Sequence, residues 1–467
     1  MFVHIKKLVS YSFGTWVSAI ISFFTTPIIT YFIIPDEFGK ASMFLLVYNI
    51  AYLVSLLGLD ESYMRYFNNP KVNRNKLFWE CLLPSLLVGF LISLIVVLLN
   101  DKISLILFGK IYDSFKILFL LSLISGIFQR YNQLSVRMQK KGVLYSLIGI
   151  IQKSTYAIVT IFYVIFIDKS FYAVIWGQIF GNISALFFGF FVDKENRALY
   201  SVSFKNIKEY IKYGIPLVPT ALLYWMFSSI DRIMLRQFST FSEIGLYSAA
   251  FRINTAFSLF TVGFLAYWKP LAFEKNEKSD EPIFFRKAAS ITSFIMFVMG
   301  LIVLSLKDII VLIMAESYKS ASYIIPFLIL NPVMSMISET TVMGIYFKKK
   351  TYWHIVITLI SAFTNFVGNL ILVPILAARG AAISTGLSYV LYFTLRTVIA
   401  EKLYPIGFEL RKIYTGTAII IFVAIIGTFR KSFIEVFIGS IFGLFLMLFV
   451  YRKEVKYMLN SIKNRNK

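Results

Sequence analysis

Apolar residues run through this chain in fourteen long blocks, and the charged residues collect in the short connectors between them. In the first half the blocks cover residues 8–34, 42–66, 77–99, 116–138, 143–167, 171–192 and 213–236. Residues 244–268, 288–306, 322–346, 352–375, 379–400, 413–429 and 433–451 complete the series. A bilayer core about 30 Å thick takes roughly 20 residues of helix. Backbone in hydrocarbon must satisfy its own polar groups, which leaves only helices and closed barrels as spanning structures. Blocks of this length predict helices. The expected fold class is an all-α polytopic membrane protein of about 14 transmembrane helices.

Composition agrees: 58% of the residues are hydrophobic, 18% are aromatic, and the mean hydropathy is +0.74. The longest connectors, residues 193–212 and 269–287, are too short to hold a separate catalytic domain. The first block is longer than the apolar core of a cleavable signal and lacks a small-residue cleavage site behind it, so it is expected to stay attached. A net charge of +23 would suggest a nucleic-acid partner in a soluble chain. Here the lysines and arginines fall mostly on alternate connectors and on both tails, which predicts cytoplasmic termini. Attraction to anionic membrane lipid accounts for the excess, and no nucleic acid is expected. Cys81, the single cysteine, excludes an intramolecular disulfide and a multi-cysteine metal site. His4 and His354, the two histidines, supply no metal cluster, and neither a metal nor a cofactor is expected.

The second half echoes the first. Glu37-Phe38-Gly39 recurs as Glu243-Ile244-Gly245, and Lys140-Lys141 recurs as Lys349-Lys350. Each match falls at the same place in the order of helices. The expectation is two parallel six-helix repeats with two further C-terminal helices. Their limits are an N-terminal lobe at 1–200, a C-terminal lobe at 201–405, and two added helices with a basic tail at 406–467. Six is an even number, so both repeats enter from the same side, as in many secondary transporters with a site between two halves.

Ionisable groups inside the blocks are the candidates for chemistry, because the bilayer makes them expensive. Arg130, Lys153, Arg232 and Arg252 lie several residues inside a block, and Arg65 and Arg396 lie near a cytoplasmic end. Arg130, Gln133 and Arg137 make one polar stripe at helical spacing. Lys153, beside Gln152, sits near mid-block, and Arg252 follows Ser248 by four residues. Arg65, Arg130, Lys153, Arg232 and Arg252 are the candidate substrate-binding cations. The alternative for each is a charge satisfied by a carbonyl or a neighbouring helix, and Arg65 can also snorkel to the interface. Asp231, Glu339 and Asp60 are the candidate coupling residues, since a carboxylate in the membrane can carry a proton or bind a cation. Asp231 is within reach of Arg252 on the next block, Glu339 shares a stripe with Asn331 and Ser335, and Asp60 with Glu61 can instead neutralise Arg65. Asn365 and Asn369, four apart, fit either sugar recognition or helix-to-helix bonding.

Several segments resemble one family. They are Pro35-Asp36-Glu37-Phe38-Gly39, Gly58-Leu59-Asp60 with Arg65-Tyr66-Phe67, and the run from Tyr213 to Pro219 that reads YGIPLVP. Asp231-Arg232, the run GLYSAA from Gly245 to Ala250, and Gly380-Ala381-Ala382-Ile383 complete the set. In order and spacing, from about residue 5 to about residue 400, the chain resembles the polysaccharide transporter, or Wzx-type oligosaccharide flippase, family. That family lies in a superfamily with lipid II flippases and multidrug exporters. The resemblance implies alternating-access movement of an undecaprenyl-diphosphate-linked oligosaccharide across a bacterial cytoplasmic membrane, for a surface polymer such as O-antigen or capsule. Membrane lipids are implied partners, and a polysaccharide polymerase is a further candidate. The residues agree, because a diphosphate crossing hydrocarbon needs a wet, cationic path. One rival is a multidrug or cation exchanger, expected to rely on carboxylates and an apolar cavity. The other is a membrane polymerase or glycosyltransferase, against which stand the short outer connectors and the absence of a nucleophile-base pair or a phosphate-binding glycine loop.

Overall fold

Each apolar block forms helix in the computed structural model, which describes residues 2–193, 203–276, 281–430 and 432–465. The expected lobe boundary at residues 200 and 201 lies outside the described residues, as do Lys194 and the connector residues 277–280. Among the described residues nine helices are long and apolar enough to cross a membrane, or eleven if each of two sharply bent pairs is one span. The 52-residue Tyr352–Leu403 is counted once, although it is interrupted at Ala377. The chain is an all-α polytopic membrane protein, and its helices divide into two units, residues 1–229 and 230–467.

The first unit holds α1 (Phe2–Phe32), α2 (Pro35–Leu56), α3 (Leu59–Tyr66), α4 (Arg74–Leu98), α5 (Asn100–Phe108), α6 (Asp113–Met138), α7 (Gly142–Phe166), α8 (Tyr172–Val192) and α9 (Phe204–Gly214). It ends inside α10 (Val218–Phe238). Helix α7 packs between α1 and α8, and α6 packs against α4, α8 and α2. Lipid tails are as apolar as leucine, so close packing of small residues holds such helices together. The expected second span is broken between α2 and α3, where Leu57 and Gly58 both take left-handed backbone, with φ of 51° and 68°. Gly58 is required there for a second reason: a Cβ on it would meet the Gly214 carbonyl, and one on Gly214 would meet the backbone of Gly58. Two of the family-like segments, far apart in sequence, are therefore packed backbone to backbone. Ser62 adds a hydrogen bond to the Tyr210 carbonyl at 2.8 Å.

The second unit holds the end of α10, then α11 (Phe241–Phe251), α12 (Asn254–Asn276), α13 (Glu281–Leu312), α14 (Ile325–Leu328), α15 (Leu330–Thr341), α16 (Met343–Phe347), α17 (Tyr352–Leu403), α18 (Leu410–Phe429), α19 (Phe433–Val450) and α20 (Arg452–Arg465). Much of the expected connector at 269–287 is helical, because α12 runs to Asn276 and α13 starts at Glu281. Helix α13 packs against α15, α18 and α19. Helix α17 turns at Ala377, whose φ of 48° and ψ of −128° are far from helical.

The two echoed motifs have matching structural roles. The Glu37 carboxylate accepts from the Phe171 backbone N–H at 2.9 Å, at the start of α8. The Glu243 carboxylate accepts from the Ala378 N–H at 3.1 Å, where α17 resumes after its break. Lys140 and Lys349 both take left-handed backbone, with φ of 61° and 55°. In each case the next lysine donates its N–H five residues back, Lys141 to Val136 and Lys350 to Ile345, and so closes the helix end.

Candidate functional site

In the first unit, Asp60 sits in the opening turn of α3 and is 8% exposed. The Arg130 guanidinium on α6 donates to one of its oxygens from Nη2 at 2.8 Å and from Nε at 3.2 Å. The break at Gly58 sets this geometry by redirecting the chain so that α3 meets α6. Arg65 follows a different course from the one expected. Asp60 does not neutralise it, because α3 turns the two to different sides, and its guanidinium lies 4.8 Å from the Tyr213 ring centre instead. Lys153 stands exposed on α7. On α6, Gln129 donates to Gln133 at 3.2 Å, and Gln152 on α7 donates to Asn182 on α8 at 2.8 Å. The polar stripe is thus partly knitted between helices. Glu80, fully buried on α4, escaped the sequence reading: it accepts from the Ser203 N–H at 2.9 Å and from Asn206 at 3.2 Å, seating α9.

In the second unit, Asp231 on α10 is 2% exposed and surrounded by neutral donors. The Tyr247 hydroxyl of α11 donates to it at 2.7 Å, and the Asn369 and Asn365 amides of α17 donate at 2.9 and 3.1 Å. Tyr247 and Thr385 lie 3.2 Å apart, oxygen to oxygen, and Ser384 donates to Asn365 at 2.8 Å. The expected Asp231–Arg252 contact is replaced by this cluster. Arg252 falls in the break between α11 and α12, so the chain leaves helical register just where that contact would form. Its neighbour in sequence, Arg232, lies 5.4 Å from the Phe251 ring centre. Asn365 and Asn369 therefore bond helix to helix, and what they bond is a buried carboxylate. Asn369 Oδ1 is buried with no hydrogen-bond partner.

A second charged group lies on α15 and α17. Glu339 accepts from Arg396 Nη1 at 2.9 Å, and Lys269 of α12 reaches its other oxygen at 3.6 Å. Arg396 is 3% exposed, so it is a buried partner of this carboxylate. The sequence reading placed Arg396 at an interface and did not single out Lys269. Tyr247, Thr385, Ser384 and Lys269 were all missed because neither a lone tyrosine nor a lone lysine in a run marks its partners. Cys81 is buried and unpaired. Among the described residues no group of three or more His, Cys, Asp and Glu side chains is placed to hold a metal ion.

A family model described as polysaccharide biosynthesis protein matches residues 5–274. The "Probable low-salt glycan biosynthesis flippase Agl15" of Haloferax volcanii is 23% identical over 283 residues, a match that spans 58% of this chain and 59% of that relative. Among solved structures, a lipid II flippase MurJ in an inward closed conformation aligns with a TM-score of 0.72 at 14% identity, covering 97% of this chain and 99% of that one. An inward-facing multidrug resistance MATE family transporter aligns with a TM-score of 0.61 at 14% identity, covering 88% and 96%. At these identities the structures share the fold.

Proposed function

This chain belongs to the polysaccharide biosynthesis protein family, and from that premise we propose that it is a transporter that flips a lipid-linked oligosaccharide, carried on undecaprenyl diphosphate, across a bacterial cytoplasmic membrane. The observation that carries the reading is the set of cations inside membrane helices: Arg130 on α6, Lys153 on α7, Arg232 on α10 and Arg252 at the α11–α12 break. A diphosphate cannot enter hydrocarbon unpaired, and each such cation lowers that cost. Arg130 keeps this capacity while bound to Asp60. Its two bonds use Nε and Nη2, and a guanidinium carries five donor hydrogens, so Nη1 is left for a phosphate oxygen.

Asp231 is the coupling residue in this reading. Its direct hydrogen bonds come from one hydroxyl and two amides and from no cation, an arrangement that a proton or a small cation can complete. Glu339 is the weaker candidate, because Arg396 and Lys269 already balance its charge. In this reading both termini lie in the cytoplasm, which the basic connectors and tails support. Drive by the membrane gradient and delivery to a polymerase on the outer face complete the scheme.

The test is flipping of a fluorescent undecaprenyl-diphosphate oligosaccharide in vesicles, read by quenching from outside. Wild-type protein should equilibrate the probe, and Lys153→Gln with Arg252→Gln should slow it at least tenfold, since a charge-assisted hydrogen bond contributes about 1.5–3 kcal/mol. A wild-type protein that leaves the probe unflipped would overturn the proposal.

A further inference from the structure

Three membrane-crossing helices of the second unit meet at one end. Helices α13 and α18 begin there and α19 stops there, and the amphipathic α20 follows directly. A cavity of 370 Å³ opens between them. Arg286 and Lys287 of α13 and Lys453 of α20 line it, together with two carboxylates, Glu409 and Glu454. Both carboxylates are already engaged by Lys412, which bonds Glu454 at 2.8 Å and ion-pairs with Glu409. With Lys412 included, four cations face two carboxylates. Arg286 is fixed in place by donating to the Ile406 carbonyl at 2.5 Å. The Lys287 ammonium sits 5.2 Å from the Tyr457 ring centre. Ile283, Ile291 and Tyr457 add apolar lining, and Ile283 is 63% exposed.

We propose that this cleft binds an anionic glycerophospholipid, with its phosphate among Arg286, Lys287 and Lys453 and its glycerol and first acyl carbons against Ile283 and Tyr457. Three arguments fix the occupant. The surplus charge is positive. The cleft lies where apolar spans give way to polar chain, the depth at which a phosphate resides. Its lining mixes cations with apolar side chains, as the junction of a phospholipid's headgroup and chains requires, and basic pockets between membrane helices bind acidic headgroups. The lipid then bridges α20 to α13, a contact that protein atoms make sparsely. This site is separate from the cations assigned to the diphosphate, so it stands whether or not the chain flips that substrate.

Native mass spectrometry of the full chain, released from micelles containing phosphatidylglycerol or phosphatidylcholine, tests the assignment. The wild-type chain should retain one phosphatidylglycerol and little phosphatidylcholine. Lys287→Gln with Lys453→Gln should weaken phosphatidylglycerol binding roughly thirtyfold, since each lysine near an anionic lipid contributes a factor of about five. Arg286 is left intact because it holds the Ile406 turn. Lys287→Arg with Lys453→Arg should restore binding, and Lys349→Gln with Lys402→Gln, which removes the same charge elsewhere on exposed chain, should leave it unchanged. Equal retention of the two lipids, undiminished binding by the glutamine pair, or an equal loss from the Lys349 and Lys402 pair would overturn the proposal.

Discussion

Arg130 carries both a structural and a transport role in this scheme, and substitution can separate them. In Arg130→Ala, Asp60 loses both its bonds from α6 while its side chain remains only 11% exposed. Removing one partner of a buried ion pair costs about 3–5 kcal/mol, because the remaining charge is stranded. The Arg130 side chain is 32% exposed, which admits some solvation and places the expected cost near the low end, about 3 kcal/mol. Asp60→Asn with Arg130→Gln leaves no stranded charge and can keep an amide bond between α3 and α6, so it should unfold within about 1 kcal/mol of wild type. The two variants should therefore differ by about 2 kcal/mol, the cost of the stranded charge, measured by unfolding in mixed micelles. If Arg130 also grips the diphosphate, the paired variant should be nearly as stable as wild type and still flip substrate at least tenfold more slowly. A paired variant that flips at the wild-type rate would remove Arg130 from substrate handling and leave the pair as a clamp between two helices. Wild-type stability in Arg130→Ala would refute the reasoning about Asp60 itself.

Asp231→Asn fixes that group in a neutral form, so transport in vesicles should lose its dependence on a proton or sodium gradient while substrate binding persists; an unchanged gradient dependence would sink the coupling role. For topology, cysteines placed singly at 101–110 or 307–319 should react with an impermeant thiol reagent from outside, and ones at Asn73 or Lys349 should not. The native Cys81 is buried and adds little background, and the reverse labelling would invert the assigned orientation.

Hydrophobic patterning made the helices legible because hydrocarbon admits few alternatives, and the limits of α4, α6 and α8 lie within a few residues of the expected blocks. It was blind to breaks inside a block. The run at 42–66 stays apolar across Gly58, and the run at 244–268 stays apolar across Arg252, yet both chains break there. Composition averages over a turn, whereas a break depends on what one residue meets in three dimensions, as Gly58 meets the Gly214 backbone. Cations were legible by the same logic, since a charge inside an apolar block is conspicuous. Their partners were not. Spacing offered Arg65 as one partner for Asp60, which pairs with Arg130, and Arg252 as one within reach of Asp231, which is held by Tyr247, Asn365 and Asn369. Partner choice is set by helix packing, to which spacing along one helix is silent.

The repeated motifs separate what the backbone needs from what each unit does with charge. Lys140 and Lys349 stand 209 residues apart, and each closes its helix through the same pair of backbone bonds. A left-handed lysine is uncommon and gains nothing in conformation over glycine, so its charge beside the exposed carbonyls of the helix end is the reason for it. At the same offset of 209, Arg130 corresponds to Glu339, and each belongs to an ion pair within its own unit, Arg130 with Asp60 and Glu339 with Lys269. The helix-closing lysines keep their sign because the helix dipole fixes it. In the second unit Arg396 joins Lys269 on Glu339, so the acidic residue there is shared between two cations. The first unit commits one arginine to one aspartate, and the second assembles a triad with a surplus positive charge beside a membrane helix. The two units thus share helix-end motifs and still balance their buried carboxylates differently.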